Sequence, residues 1–265
     1  MESDKPVFGM AATPTDKLTE AATDNAAEGG ANLECATGQD VAEVAVQPTE
    51  ETAPVHECLT QPAEHTATKK MSHADRHQIF VGFNGECPRY SPGSIIKYVS
   101  YFAGWPGGQG QLISDTMWAA ASAWNAQNIG VRFQWTTNPA EATFEVIYGG
   151  EHPTAAARAF FPKNRGGNQV IVYAASFTPA GLARMQNSFQ HELGHIMGLR
   201  HEFADTETPP AVLLGVRNRL SIMSYEFARL IQATDVQWAR VFYTRPNGSS
   251  ITDATQSLPI RDYAP

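Results

Sequence analysis

The chain has 265 residues, 42% of them hydrophobic, which is enough for one medium domain with a substantial core and additional segments. Its net charge of −8 is unevenly distributed: residues 1–75 contain 14 acidic residues and 4 lysines (net −10), and residues 76–265 contain 15 basic and 13 acidic residues (net +2). The near-neutral second part lacks the basic surface that phosphate backbones require, which argues against nucleic acid as the main partner.

The first 75 residues are predicted to form a disordered acidic segment. Up to Ser72 they are rich in Ala, Thr, Glu and Pro and contain a single aromatic residue, Phe8. Such a segment cannot bury enough apolar surface to offset the entropy lost on folding. Two interpretations stay open: a removable propeptide that covers an active site, and a solvated tail.

Cysteine content and apolar runs bear on the compartment. Cys35, Cys58 and Cys87 are too few for a disulfide framework; one pair could bond, and the spacing does not indicate which. No N-terminal stretch resembles a secretory signal, and no apolar run is long enough to span a bilayer. We therefore expect a protein that is cytoplasmic or released without a signal peptide, with no membrane partner.

Residues 76–265 are predicted to form the folded domain. Strand-like patterns cover 94–101, 131–135, 142–148, 157–161 and 169–174, and helical periodicity covers 109–128, 180–197 and 234–243. The order is one strand, a helix, four strands and a second helix, followed by a smaller irregular C-terminal part. This order predicts an α+β fold, a sandwich built on a mixed five-stranded sheet.

The strongest functional signal lies at the end of the second predicted helix, where the sequence reads His-Glu-Leu-Gly-His-Ile-Met-Gly-Leu-Arg-His over residues 191–201. His191 and His195 are four residues apart, so a helix places them one turn apart on the same face, able to share a cation. Gly198 tolerates positive φ, which would let the chain leave the helix and return His201 as a third ligand. Three histidines leave one tetrahedral position for water, as in catalytic zinc sites, and Glu192 would lie beside that water as the general base.

This His-Glu-x-x-His-x-x-Gly-x-x-His pattern resembles the zinc signature of metzincin metalloproteases of the astacin, serralysin and matrixin type. The later sequence Ser-Ile-Met-Ser-Tyr, residues 221–225, resembles the methionine-bearing turn of that clan. The resemblance implies that Met223 forms the floor beneath the metal. It also implies that Tyr225 binds the metal in the resting enzyme and stabilises the transition state.

Residues 157–162 resemble the edge strand along which matrixins and astacins bind substrate, which implies a substrate-binding role for Ala159 and Phe160. The resemblance further implies a zincin-like fold with an active-site helix, one Zn²⁺ per chain and a metallopeptidase domain over 76–265. We expect a monomer acting on a protein or peptide. The chain departs from these families in lacking the astacin cysteines and the Pro-Arg-Cys-Gly switch motif of matrixins.

Three other interpretations of the motif stay open. The domain could bind zinc without catalysis and act as a binding module, although Glu192 is not needed for zinc binding alone. It could hydrolyse a non-peptide amide or ester. It could also hold a purely structural zinc, which would require a fourth protein ligand, and no cysteine lies near the motif in sequence.

Overall fold

The structure, a computed structural model, describes residues 57–58, 60, 79–162, 168–204, 211–215, 218–225 and 230–265. In chain order the strands are β1 (Glu57–Cys58), β2 (Phe80–Val81), β3 (Cys87–Tyr90), β4 (Ile95–Ser100), β5 (Arg132–Trp135), β6 (Phe144–Tyr148), β7 (Ala155–Arg158), β8 (Gln169–Val172), β9 (Leu199–Arg200), β10 (Val212–Leu213), β11 (Ser250–Thr252) and β12 (Ser257–Tyr263). The α-helices are α1 (Gly110–Asn125), α2 (Pro179–Ile196) and α3 (Ala233–Thr244). All described residues fall in one compact unit, Glu50–Pro265.

The main sheet has the strand order β1-β7-β8-β6-β4-β5. Strands β8, β6, β4 and β5 run parallel to one another, and β7 is antiparallel to β8. The two-residue β1 is paired in parallel with β7 and covers its outer edge. Alternate residues of the central strands are buried, as expected for strands that pack one face on helices: Ile96, Tyr98, Phe144, Val146, Val170 and Val172.

Two helices pack together beside this sheet, and their sequences explain where they begin and which face is buried. Helix α1 buries Ile113, Met117, Ala120, Ala121 and Trp124, the spacing of one helical face. The Trp124 indole N–H donates to the buried carbonyl of Gln190, 2.8 Å away, and so joins α1 to α2. Helix α2 begins with Pro179 in its first turn, after Thr178, whose hydroxyl caps the amide of Gly181 at 3.1 Å.

The predicted α+β class and mixed sheet are confirmed. The predicted edge strand differs in its bounds, since β7 ends at Arg158 and Ala159–Phe161 follow it. Two small sheets were not predicted, with the orders β10-β2-β9 and β11-β12-β3. Most of the predicted disordered segment, residues 1–75, lies outside the described residues. Among the helices that are described, none has the length and apolar character needed to cross a bilayer.

Candidate metal centre

Helix α2 brings His191 and His195 onto one buried face, and His201 returns to meet them. The three Nε2 atoms lie 3.1 Å (His191 to His195) and 3.2 Å (His201 to each of the others) apart. Nitrogens at the usual zinc distance in a tetrahedral site would be separated by roughly 3.3 Å. The three imidazoles therefore converge on one point, as the spacing of the motif predicted.

The outer ring nitrogens fix the tautomers of two of these histidines. His191 Nδ1 lies 2.7 Å from the carbonyl oxygen of Ile222, and His195 Nδ1 lies 2.8 Å from that of Leu199. A carbonyl only accepts, so each Nδ1 carries the proton and each Nε2 presents a lone pair. Converging lone pairs repel one another unless a cation lies between them. An Nδ1–H that donates to a backbone carbonyl is also the usual arrangement of a metal-bound histidine.

Gly198 makes the return of His201 possible. Its φ is +94°, in the left-handed region, and its amide bonds the carbonyl of His195 at 2.9 Å as the helix ends. A Cβ at this position would lie 2.2 Å from the carbonyl oxygen of Pro88, a backbone atom that cannot move aside cheaply. Both conformation and space therefore require glycine here; the sequence predicted the positive φ, and the structure adds the steric limit.

This requirement gives a stability prediction. Gly198→Ala should lower the free energy of unfolding by roughly 2–5 kcal/mol, because it combines left-handed strain with a backbone clash. Gly85→Ala is the matched control, since Gly85 has φ +85° but no atom within 4 Å of an added Cβ. It should cost only about 1–2 kcal/mol. Urea titration of both variants measures the difference, and equal losses would contradict the steric argument.

Met223 packs against α2. A Cβ on Gly194 would come within 2.4 Å of the Met223 sulfur, so the methionine packs directly against the helix between the two histidine positions. The turn that carries Met223 is held by the buried Asp235 of α3. Its carboxylate accepts from the Ser221 hydroxyl at 2.5 Å and the Ile222 amide at 3.0 Å. Helix α3 thus positions the Ile222 carbonyl that orients His191.

The structure adds a fourth potential ligand that sequence reasoning missed. Cys58 is buried and joins the three histidines, with the four ligand atoms all within 4.8 Å of one another. Both described cysteines, Cys58 and Cys87, are free thiols. This buried cluster could hold a metal ion. Nitrogen and sulfur donors fit zinc and related transition metals better than magnesium or calcium, which prefer oxygen.

Burial, followed by the charge of Glu192, raises the pKa of the Cys58 thiol. A divalent cation in the cluster would reverse this preference by binding the thiolate. The thiol lies 3.3 Å from Glu192 Oε2, and the Thr60 hydroxyl donates to the same oxygen at 2.9 Å. Glu192 is itself buried. The predicted general base is thus next to the cluster and bonded to residues from the N-terminal part of the chain.

The remaining predicted residues surround this cluster. The Tyr225 ring packs edge-on against His201 with centroids 4.8 Å apart, and its hydroxyl donates to the carbonyl of Cys58 at 3.0 Å. The amide of Ala159 donates to the Thr60 hydroxyl at 2.7 Å. Phe160 is buried and packs against Phe144. The roles proposed for these residues in catalysis and substrate binding stay predictions.

The pairing of β1 with β7 places Cys58 and Thr60 near the histidines, and no motif around Cys58 in the sequence indicates that pairing. One signal could have indicated that a cysteine of this segment is a metal ligand. The chain has an odd number of cysteines, and residues 1–75 were open to interpretation as a propeptide.

Comparison with known proteins does not decide among the interpretations. No protein-family model matches the chain, and no curated protein matches it significantly.

Proposed function

We propose that this chain is a zinc-dependent endopeptidase of the metzincin type. His191, His195 and His201 would hold the zinc, and Glu192 would act as general base. The observation that carries the proposal is the meeting of three Nε2 atoms, 3.1–3.2 Å apart, beside a buried carboxylate that is not one of the clustered ligands. Zinc binding alone does not require that carboxylate, whereas hydrolysis by a metal-bound water needs a general base.

The reaction adds water across a peptide bond, so that the carbon–nitrogen bond breaks and each fragment gains part of the water. Zinc, when bound, supplies Lewis acidity toward the water and the carbonyl oxygen. Glu192 takes a proton from the attacking water and passes it to the leaving nitrogen. Once released from Cys58, the Tyr225 hydroxyl donates a hydrogen bond to the oxygen on which negative charge develops.

The outer edge of β7 supports a peptide as the substrate class. This edge binds an extended strand, because the protein's own β1 lies along it in parallel register, with Glu57 opposite Ala155 and Cys58 opposite Ala157. Extended peptides bind sheet edges by the same main-chain hydrogen bonds. A substrate would have to replace β1 there, and Cys58 would have to leave the fourth ligand position to admit water.

One observation favours a second candidate, a structural zinc site. Cys58 completes a set of three nitrogens and one sulfur, and four protein ligands with no open position are typical of structural zinc sites. In that case Cys58 would be a permanent ligand and Glu192 would have no catalytic task. The two candidates predict opposite effects of removing Cys58 on peptide cleavage.

Metal dependence tests the proposal directly. We expect the Cys58→Ala chain to cleave members of a peptide library, to lose this activity in 1,10-phenanthroline and to regain it on addition of zinc. Chelation should also lower the melting temperature, because a metal bound only to the folded state stabilises it. Stoichiometric zinc without cleavage of any peptide would favour the structural site, and elemental analysis without zinc would contradict both candidates.

A further inference from the structure

The Thr60 side chain contacts two groups of the proposed active site at once. Its hydroxyl accepts from the Ala159 amide at 2.7 Å and donates to Glu192 Oε2 at 2.9 Å. A hydroxyl has one proton to donate and lone pairs to accept, so both bonds form together. Thr60 therefore bridges the edge of the sheet and the proposed general base.

Thr60 belongs to a short covering segment, which we define as Glu57, Cys58 and Thr60. Its first two residues form β1 along β7, and Thr60 reaches the next amide beyond the strand, that of Ala159. The Cys58 carbonyl accepts from the Tyr225 hydroxyl, and the Cys58 thiol lies among the histidine nitrogens. The segment thus engages each group that the proposed reaction would need.

We propose that Thr60 makes a second inhibitory contact, and this proposal rests on the proposed function. Thr60 keeps Glu192 and the Ala159 amide occupied independently of the bond between Cys58 and the metal. Loss of the thiol ligand alone then leaves the site partly closed. Full activity requires the covering segment to leave the edge of β7.

The strength of the two Thr60 bonds supports this independence. Hydrogen bonds to a carboxylate are stronger than those between neutral groups, and here the acceptor is buried. The Ala159 amide is a main-chain donor of the kind that an extended peptide would use. A valine of the same shape would fill the space of Thr60 and make neither bond, so Thr60→Val removes the contact with little change in packing.

Thiol alkylation tests the contact without any peptidase assay. In the zinc-loaded full chain, iodoacetamide modification of Cys58 is followed by peptide mapping, which separates it from Cys35 and Cys87. We expect Thr60→Val to speed alkylation of Cys58 roughly 10- to 100-fold, the effect of losing a bond to a charged group. Thr60→Ser, which keeps the hydroxyl, should stay within about threefold of the unmodified chain.

The control is Thr136→Val, which removes a hydroxyl that accepts from the Asn138 amide in the exposed turn after β5. If Thr60→Val reacts no faster than Thr136→Val, the proposal is wrong.

Hydrogen exchange of the Ala159 amide in the Cys58→Ala chain gives a test that leaves Thr60 intact. Continued protection supports an independent contact, and exchange at the rate of a free peptide overturns it.

Peptide cleavage separates this proposal from the proposed function. The chain carrying both Cys58→Ala and Thr60→Val should have a kcat/KM at least about tenfold above that of Cys58→Ala alone. Equal kcat/KM values for the two chains would contradict the inhibitory role of Thr60 without contradicting the peptidase assignment. Absence of cleavage in both chains would contradict the peptidase assignment, and alkylation and exchange would still decide whether Thr60 holds the segment.

Discussion

Glu192→Gln, introduced into the Cys58→Ala chain, is expected to lower kcat/KM for peptide hydrolysis by roughly 10²–10⁴-fold, the usual contribution of a general base. Glutamine has nearly the shape of glutamate and can still accept the hydrogen bond from the Thr60 hydroxyl, but it cannot take a proton from water. Glu192 is not one of the clustered ligands, so the zinc content should not change.

The measurement pairs kcat/KM with elemental analysis of each purified chain. His191→Ala should lose zinc and activity together, because it removes a ligand, whereas Glu192→Gln should lose activity alone. Glu145→Gln is the matched control: Glu145 lies on β6 and accepts from the Tyr101 hydroxyl at 2.8 Å in an exposed bond, and its replacement should leave both quantities unchanged. Full activity in the Glu192→Gln chain would end the assignment of the base.

The histidine cluster could be predicted from the sequence because its geometry is local. The spacing of His191 and His195 needs only a helix, and the position of His201 needs only a turn at a residue that tolerates positive φ. These requirements lie within eleven consecutive residues. The Nδ1 contacts, by contrast, include a carbonyl supplied by a distant turn that α3 holds in place through Asp235. The motif therefore predicts the ligands but not the groups that orient them.

Cys58 and Thr60 could not be predicted in the same way. Cys58 contacts Glu192 across 134 residues of sequence, and the contact depends on a two-residue parallel strand. Such pairing has no periodic pattern, and the surrounding composition predicts disorder. The motif therefore does not predict whether the fourth ligand position is open to water or covered by a protein side chain.

The small C-terminal sheet was missed for a different reason. Its strands β3 and β12 contain Pro88 and Pro259, and a proline within a run argues against a central strand because it cannot donate to the ladder. In the structure β12 pairs with β3 in parallel and with β11 in antiparallel orientation. Arg89 of β3 also bonds Asp262 of β12 at 2.7 Å. Tertiary pairing thus overrides the local signal.

Cys58→Ala is expected to raise kcat/KM of the zinc-loaded full chain roughly 10- to 100-fold. The physical reason is the fraction of molecules in which the site is open. Activity is proportional to that fraction, and removing the thiol ligand increases the fraction. Water can then take the fourth ligand position while three histidines still bind zinc, as in catalytic sites. The measurement is the initial rate of cleavage of one library-derived peptide, at equal zinc content.

Cys87→Ala is the control for loss of a buried free thiol. Its sulfur packs against the carbonyl of Leu258 at 3.8 Å and is not among the clustered ligand atoms, so its replacement should cost stability without raising the cleavage rate. The structural-zinc candidate predicts the opposite for Cys58→Ala: weaker zinc binding, a lower melting temperature and no cleavage. A chain that keeps its zinc and gains activity when Cys58 is removed therefore distinguishes a covered catalytic site from a closed structural one.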